Sequence, residues 1–209
     1  IERRDRTESA LDTASRMRRR LREESGNDAF AGRLAQLLFL LDLTINALCE
    51  QRPQDALIEI DADQAMQQRH GPELRLWWQR LLGMYLAWAE RRNMRVEVLH
   101  QDAEHCRAWL AISGFGAYDL LETEAGLHVH EEQDDGATRR VSLLVQVTPD
   151  LPGRARVAQT APEGERRICR RYRETPSPLV RDGMRGWRSG RIDRVLGILR
   201  AGGLSLELA

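Results

Sequence analysis

The sequence predicts an α+β fold: a helical hairpin, then a sheet of four or five strands against one long helix, then an arginine-rich C-terminal segment. Three observations predict it. Apolar residues recur at three- and four-residue spacing through the first fifty positions, a long amphipathic stretch runs from Leu74 to Arg92, and short alternating runs lie around it. At 209 residues, with 42% apolar and 31% charged, the chain has room for one good-sized core or two small ones. The expected divisions are 1–52, 53–150 and 151–209.

Taken in order, Leu11, Ala14, Met17 and Leu21 mark one helix, and Leu34, Leu37, Leu38, Leu41, Ile45 and Leu48 a second. Ser25, Gly26 and Asn27 break them, and Asp28 suits the start of the next. Ala56 to Asp61 reads as a strand, followed by a polar stretch ending in Gly71, Pro72 and Glu73. The long helix then begins at Leu74, where Pro72 and Glu73 suit a helix start. Arg95 to Leu99 and Arg107 to Ile112 read as strands, and Tyr118 to Glu124 as a short helix. Leu127 to His130 and Val141 to Val147 read as two strands joined by a polar connection. From Pro149 to Pro178 the apolar pattern weakens, so a linker or extended arm is expected, with a short helix over Asp193 to Arg200.

Charge and cysteine usage narrow the function classes. Lys+Arg and Asp+Glu both number 32, and every basic residue is Arg. A zero net charge excludes a simple polycationic binder. The balance hides a split: from Leu99 to Asp150 there are ten acids and three Arg (net −7), and from Pro152 to Arg200 thirteen Arg and five acids (net +8). Either the two segments serve different surfaces, or they pair within one fold. Three scattered cysteines, Cys49, Cys106 and Cys169, imply a reducing compartment and no disulfide framework, so a cytoplasmic location is expected. The richest apolar run, Leu37 to Leu43, is interrupted by Asp42, so no membrane span or membrane partner is expected. A start at Ile1 rather than Met implies that something precedes it.

The chemistry-bearing residues are few. His128 and His130, two apart on a strand, share a face but match no zinc spacing, and no metal or other cofactor is implied. Cys106 beside His105 has the residue types of a nucleophile and base, with packing the competing reading. Gly114 and Gly116 lack the rest of a dinucleotide loop and read as a turn. Arg166, Arg167, Arg170, Arg171, Arg173, Arg181, Arg185 and Arg188, with Tyr172 and Trp187 among them, suit RNA phosphates and unstacked bases. Trp187 is expected to be exposed. A merely solvated surface is the alternative.

The segment from Asp55 to Asp150 resembles the bacterial class I peptide chain release factors, most closely the UGA-reading branch. Leu81 to Arg92 running into Arg95 to Leu99 is similar to that family's helix-to-strand signature. Ala117 to His128 and Val145 to Pro149 resemble its next two blocks, and Leu179 to Gly186 with Asp193 to Leu196 its closing segment. The resemblance implies a ribosome-associated protein whose central domain reads the stop codon. It also implies a separate domain whose Gly-Gly-Gln loop hydrolyses peptidyl-tRNA, and a helical first domain lying near the factor-binding region of the large subunit.

The departures shape the functional expectation. No Gly-Gly-Gln occurs in the sequence, and Leu151 to Arg166 is too short to hold that domain. Without the glutamine no donor orients water at the ester. The codon-reading loop runs from His128 to Gly136, shortened and carrying Glu131, Glu132, Asp134 and Asp135; the family's His-Thr pair falls on Arg139 and Arg140. Four acids there would repel an mRNA backbone. The sequence therefore predicts a non-catalytic, ribosome- and rRNA-binding relative acting in rescue, hibernation or regulation. The alternatives are an adaptor whose acidic tip (with Arg139 and Arg140) or N-terminal helices hold a protein partner, and an active hydrolase.

Overall fold

Alternation between buried and exposed positions sets the sheet, and helical periodicity sets what covers it. The structure is a computed structural model and describes residues 2–23, 28–134, 137–151, 153 and 167–196. Helices α1 (Glu2–Glu23) and α2 (Asp28–Cys49) form the expected hairpin. Ala14, Leu34 and Leu41 are its buried centre, with Ala10, Met17, Leu21 and Leu37 packed around them. The break residues Gly26 and Asn27 lie outside the described residues. Leu40 and Leu43 carry the hairpin onto the main core, and Phe115 touches both clusters.

Helix α2 is more apolar as a whole than its longest contiguous run indicates. It is 22 residues long with a mean hydropathy of 1.3, enough by length and composition to cross a membrane. Asp42 splits the contiguous run and lowers the average, but the leucines around it keep the helix as a whole apolar. In the fold Leu34, Leu40, Leu41, Thr44 and Ala47 are buried, while Leu38, Phe39, Ile45 and Leu48 face outward.

The sheet has eight strands among the described residues: β1 (Ala56–Asp61), β2 (Arg95–Asp102), β3 (Arg107–Ser113), β4 (Gly126–Asp134), β5 (Ala137–Pro149), β6 (Ile168–Arg173), β7 (Leu179–Asp182) and β8 (Arg188–Ser189). Their spatial order is β2-β3-β1-β5-β4-β6-β7-β8, antiparallel except where β6 joins β4 in parallel. Five of the strands lie where the sequence predicted them. Of the other three, β6 lies in the segment read as an arm, and β7 and β8 lie after it, within or just beyond Leu179 to Gly186. Strand β6 escaped notice because two of its core-facing positions are Arg170 and Tyr172, which break the apolar pattern that reveals a strand. The polar connection after His130 is also strand: β4 and β5 extend as a hairpin to Asp134 and Ala137.

Helix α3 (Gln64–Arg91) covers one face of the sheet through Leu74, Trp77, Trp78, Leu81, Met84, Tyr85 and Trp88. It starts ten residues before the expected Leu74, capped by Asp63 accepting from the Ala65 amide. Gly71 and Pro72 lie within it, at a kink where His70 leaves helical geometry. Helix α4 (Ala117–Leu121) continues into a 3-10 turn over Glu122–Glu124, and α5 (Ile192–Val195) closes the described chain. The rest of the helix expected to Arg200 lies outside the described residues.

Gly126, at the start of β4, has φ +136, and a Cβ there would sit 2.7 Å from the Arg167 carbonyl oxygen. That carbonyl accepts from the Leu127 amide and holds the parallel β4–β6 crossing together. Gly126→Ala is expected to lower stability by about 1–2 kcal/mol, read from urea midpoints.

Candidate nucleic-acid interface

Strand β6 sends alternate side chains to opposite faces, and this sorts its arginines. Arg170 points inward and is fully buried. Its Nη2 donates to Glu124 Oε1 at 2.6 Å and to Asp182 Oδ2 at 2.9 Å, its Nη1 to the Tyr172 hydroxyl at 3.3 Å, and its plane lies 5.1 Å over the Trp187 ring. Burial opposes the charge, but the acidic groups around it, Tyr172 and Glu124 foremost, hold its pKa well above the ordinary value. Burial also works against the Asp182 carboxylate. The Arg185 amide and the Arg170 guanidinium outweigh burial and keep it below its usual range.

His128 completes this buried network. Its Nε2 lies 3.0 Å from the Glu124 carbonyl, which can only accept, so the proton sits on Nε2. Nδ1 is then an acceptor, 3.1 Å from the Tyr172 hydroxyl. Burial first, and Arg170 second among the lowering causes, bring its pKa down to about 4, so the imidazole is neutral at physiological pH. The cavity beside this network, lined by Met84, Tyr85, Trp88, Glu124, Arg170 and Arg185, holds about 10 Å³, room for one water and no substrate.

The outward positions form a different feature. Strand pairing sets Arg171 opposite Arg181 and Arg181 opposite Arg188, so three exposed guanidiniums stand side by side across β6, β7 and β8. Neighbouring strands lie about 4.8 Å apart, and like charges facing each other destabilise a sheet. Arg171 also reaches Glu131 Oε1 at 3.3 Å, which Arg140 approaches from β5 at 3.0 Å. The row therefore runs Arg140, Glu131, Arg171, Arg181, Arg188, with one carboxylate among four cations. Such a row can hold successive phosphates of a backbone.

The expected RNA-contacting residues thus divide. Arg171, Arg181 and Arg188 come together on the open face, and Arg167 is exposed at the start of β6. Arg173 is half-buried and donates to the Ser177 carbonyl and hydroxyl. Arg185 is half-buried and donates to Thr123 Oγ1 at 2.7 Å. Arg170 is removed from the expected surface because it is the core counter-charge of Glu124 and Asp182. Tyr172 is buried and Trp187 packs against the core, so neither is free to stack on a base as the sequence had implied. Arg166 lies outside the described residues.

The expected acidic tip is corrected in charge. Glu131 sits opposite Arg140 and Glu132 opposite Arg139, so the hairpin carries its own counter-cations. Arg139 reaches further to Glu73 on α3 at 3.4 Å. Asp135 and the side chain of Asp134 lie outside the described residues. The ion pairs of Arg170 with Glu124 and of Arg171 with Glu131 favour the reading in which the acidic and basic segments meet inside one fold.

Two sites of potential chemistry can be weighed on their donors. Glu124, His128 and Cys169 bring one ligand-type atom each within 4.8 Å of one another, a grouping that spacing did not reveal because Cys169 arrives on the late strand β6. Glu124 Oε2 is buried without a hydrogen-bond partner. The Cys169 thiol is pushed up to about 12 by burial and donates to the Thr123 carbonyl, and Arg170 occupies Glu124 Oε1. The donors are thus poorly fitted to a divalent cation, which would have to displace a proton and stand beside a guanidinium. Burial likewise raises the pKa of Cys106, and its neighbour His105 pairs with Asp102 at 2.7 Å, so this Cys–His neighbourhood is not an activated nucleophile.

Residues 2–130 match the family model described as the PCRF domain. The chain is similar to peptide chain release factor 1 of Clostridium botulinum (strain Langeland / NCTC 10281 / Type F), 32% identical over 106 residues, covering 47% of this chain and 28% of that protein. It is also similar to peptide chain release factor 2 of Helicobacter acinonychis (strain Sheeba), 37% identical over 89 residues, covering 39% of this chain and 24% of that one. The chain thus matches about a quarter of the length of these curated relatives, and both factor types are among them. In three dimensions it is similar to RF2 of Thermus thermophilus, with a TM-score of 0.55, 18% identity, and coverage of 94% of this chain and 81% of that one.

Proposed function

The chain belongs to the PCRF-domain family of the class I peptide chain release factors, and from that premise we propose that it is a ribosome-binding factor without peptidyl-tRNA hydrolase activity, acting in translation in the cytoplasm. One observation carries the non-catalytic part. After Pro149 the chain returns to the sheet as β6 at Ile168, and neither this connection nor any other part of the sequence contains Gly-Gly-Gln. Peptidyl-ester hydrolysis needs an oriented donor at the developing oxyanion. The row of Arg171, Arg181 and Arg188 supports the ribosome-binding part, through rRNA phosphates.

Two measurements test the reading. The protein is expected to pellet with 70S ribosomes at low salt, and the Arg171→Glu, Arg181→Glu, Arg188→Glu triple variant to lose about tenfold or more in affinity. It is expected to release no peptide from ribosomes stalled at a stop codon. Absence of co-sedimentation would remove the ribosome assignment, and stop-codon-dependent release would remove the non-catalytic one. Arg170 is left intact in these variants because its loss would act on the core.

A second reading, the adaptor, draws on the outward apolar residues Leu38, Phe39, Ile45 and Leu48 of α2. It predicts a stoichiometric non-ribosomal protein in a pull-down that is lost on Leu38→Asp and Leu48→Asp. A pull-down dominated by ribosomal proteins counts against it.

A further inference from the structure

The end of α1 carries the densest block of positive charge in the chain. Arg16, Arg18, Arg19, Arg20 and Arg22 fall within seven positions, with no acid from Ser15 to Arg22, and all five are exposed. Met17 and Leu21, between them, take the inner face toward α2. At 100° per residue the five arginines fan over the outer surface, within about 9 Å of helix axis. That is roughly one charge per 2 Å, close to the axial charge density of a nucleic-acid duplex, about one per 1.7 Å.

The helix does not need this charge. Cations near a helix C-terminus answer a partial charge of only about half an elementary unit, which one arginine satisfies. Glu23 and Glu24 follow in the sequence, leaving an excess of three over residues 16–24 (five Arg against two Glu). Arg16 and Arg20, and Arg18 and Arg22, stand four apart, while Arg16 and Arg19, and Arg19 and Arg22, stand three apart, so the row repels itself. Arg16 leans on Thr13 and Arg20 lies over Phe30, but Arg18, Arg19 and Arg22 have no hydrogen bond or ion pair among the described residues.

We infer that this outer face of α1 is a second docking surface, for the phosphate backbone of duplex RNA. Guanidiniums fork onto phosphate oxygens, and a row without apolar or aromatic members on its outer arc favours a backbone over a lipid headgroup layer, which an amphipathic helix enters with apolar side chains. The inference deepens the ribosome-binding reading and rests on it for which RNA is bound. The surface is separate in the fold from the row on β6 to β8, since α1 packs on α2 and on Phe115, which follows β3.

The experiment uses the full chain with Arg18→Glu, Arg19→Glu and Arg22→Glu combined, a matching set of glutamine substitutions, and the β6–β8 triple variant. Probes are a labelled 20-base-pair RNA duplex, 70S ribosomes and vesicles containing phosphatidylserine. Unfolding midpoints check that the variants remain folded, which exposed substitutions should permit. The α1 glutamate variant is expected to lose about tenfold or more in duplex affinity at low salt, with the glutamine variant intermediate. The slope of log K against log salt is expected to shrink by about two. Unchanged duplex affinity or slope overturns the inference, as does binding to the vesicles tighter than to RNA and lost with the same substitutions. Should the wild type fail to pellet with ribosomes while duplex binding still depends on α1, the inference stands and the ribosome assignment falls.

Discussion

Arg170→Met is expected to destabilise the protein by about 3–5 kcal/mol, the largest effect of any single surface-sparing change. The guanidinium has no exposed side-chain surface, and its two carboxylate partners are 7% and 1% exposed. Removing it strands Glu124 and Asp182 in the core without their ion-pair partner, and it also removes the stack on Trp187. Combining Arg170→Met with Glu124→Gln and Asp182→Asn should recover much of the loss, since the penalty lies in the stranded charge and not in the missing contact. Asparagine keeps the Oδ1 acceptor that Asp182 offers to the Met184 and Arg185 amides. Should Arg170→Met fail to fold, Arg170→Lys, which keeps the charge and loses the fork, is expected to lie between it and the wild type. A loss below about 1 kcal/mol by urea unfolding would refute the assignment of Arg170 as the counter-charge.

The second large effect is a loss of stability in mild acid, centred on His128. Its pKa in the fold is about 4, below the 6.5 of the unfolded chain. Between those values the unfolded chain binds a proton that the folded one refuses. The contribution is therefore complete above pH 6.5 and disappears as pH falls to 4, amounting to about 3 kcal/mol across the window and about 2 kcal/mol between pH 7 and 5. The groups facing the ring are Glu124, Arg170, Asp182, Tyr85 and Tyr172, and the depressed carboxyl of Asp182 titrates below this window. His130, stacked on Trp77 and beside Glu174, is lowered in the same direction by burial and leaves a smaller residual slope. Urea midpoints at pH 7, 6 and 5 should converge for His128→Gln relative to the wild type. A variant as acid-sensitive as the wild type would show that other groups carry the slope.

These two residues explain why part of the fold was hard to read. Strands β1 and β5 alternate, β3 is a short apolar run, and α3 carries an apolar stripe over several turns, so their existence follows from local pattern alone. Strand β6 has the same alternation with an arginine and a tyrosine turned inward, and its partner charges lie 46 residues before and 12 after. No window along the sequence contains both sides of that pairing. The N-terminal arginines sit at helical spacing among Met17 and Leu21, a pattern that in sequence alone is that of any solvated helix face. Only their common exposure, with Met17 and Leu21 turned away, makes them a surface.

The sequence by itself determined the type of most elements in the first two thirds of the chain and the family blocks between Asp55 and His130, and it shows no Gly-Gly-Gln among these 209 residues, because each is a local pattern or a literal string of residues. The tertiary structure alone decided which charges are surface and which are core. Arg170 and Arg171 are neighbours in a basic run, but the pleat turns one to Glu124 and Asp182 and the other to the open face. The same pairing neutralises Glu131 and aligns Arg171 with Arg181 and Arg188. A charge acts through the space around it, and that space is set by strand register, which residues distant in the chain must fix together.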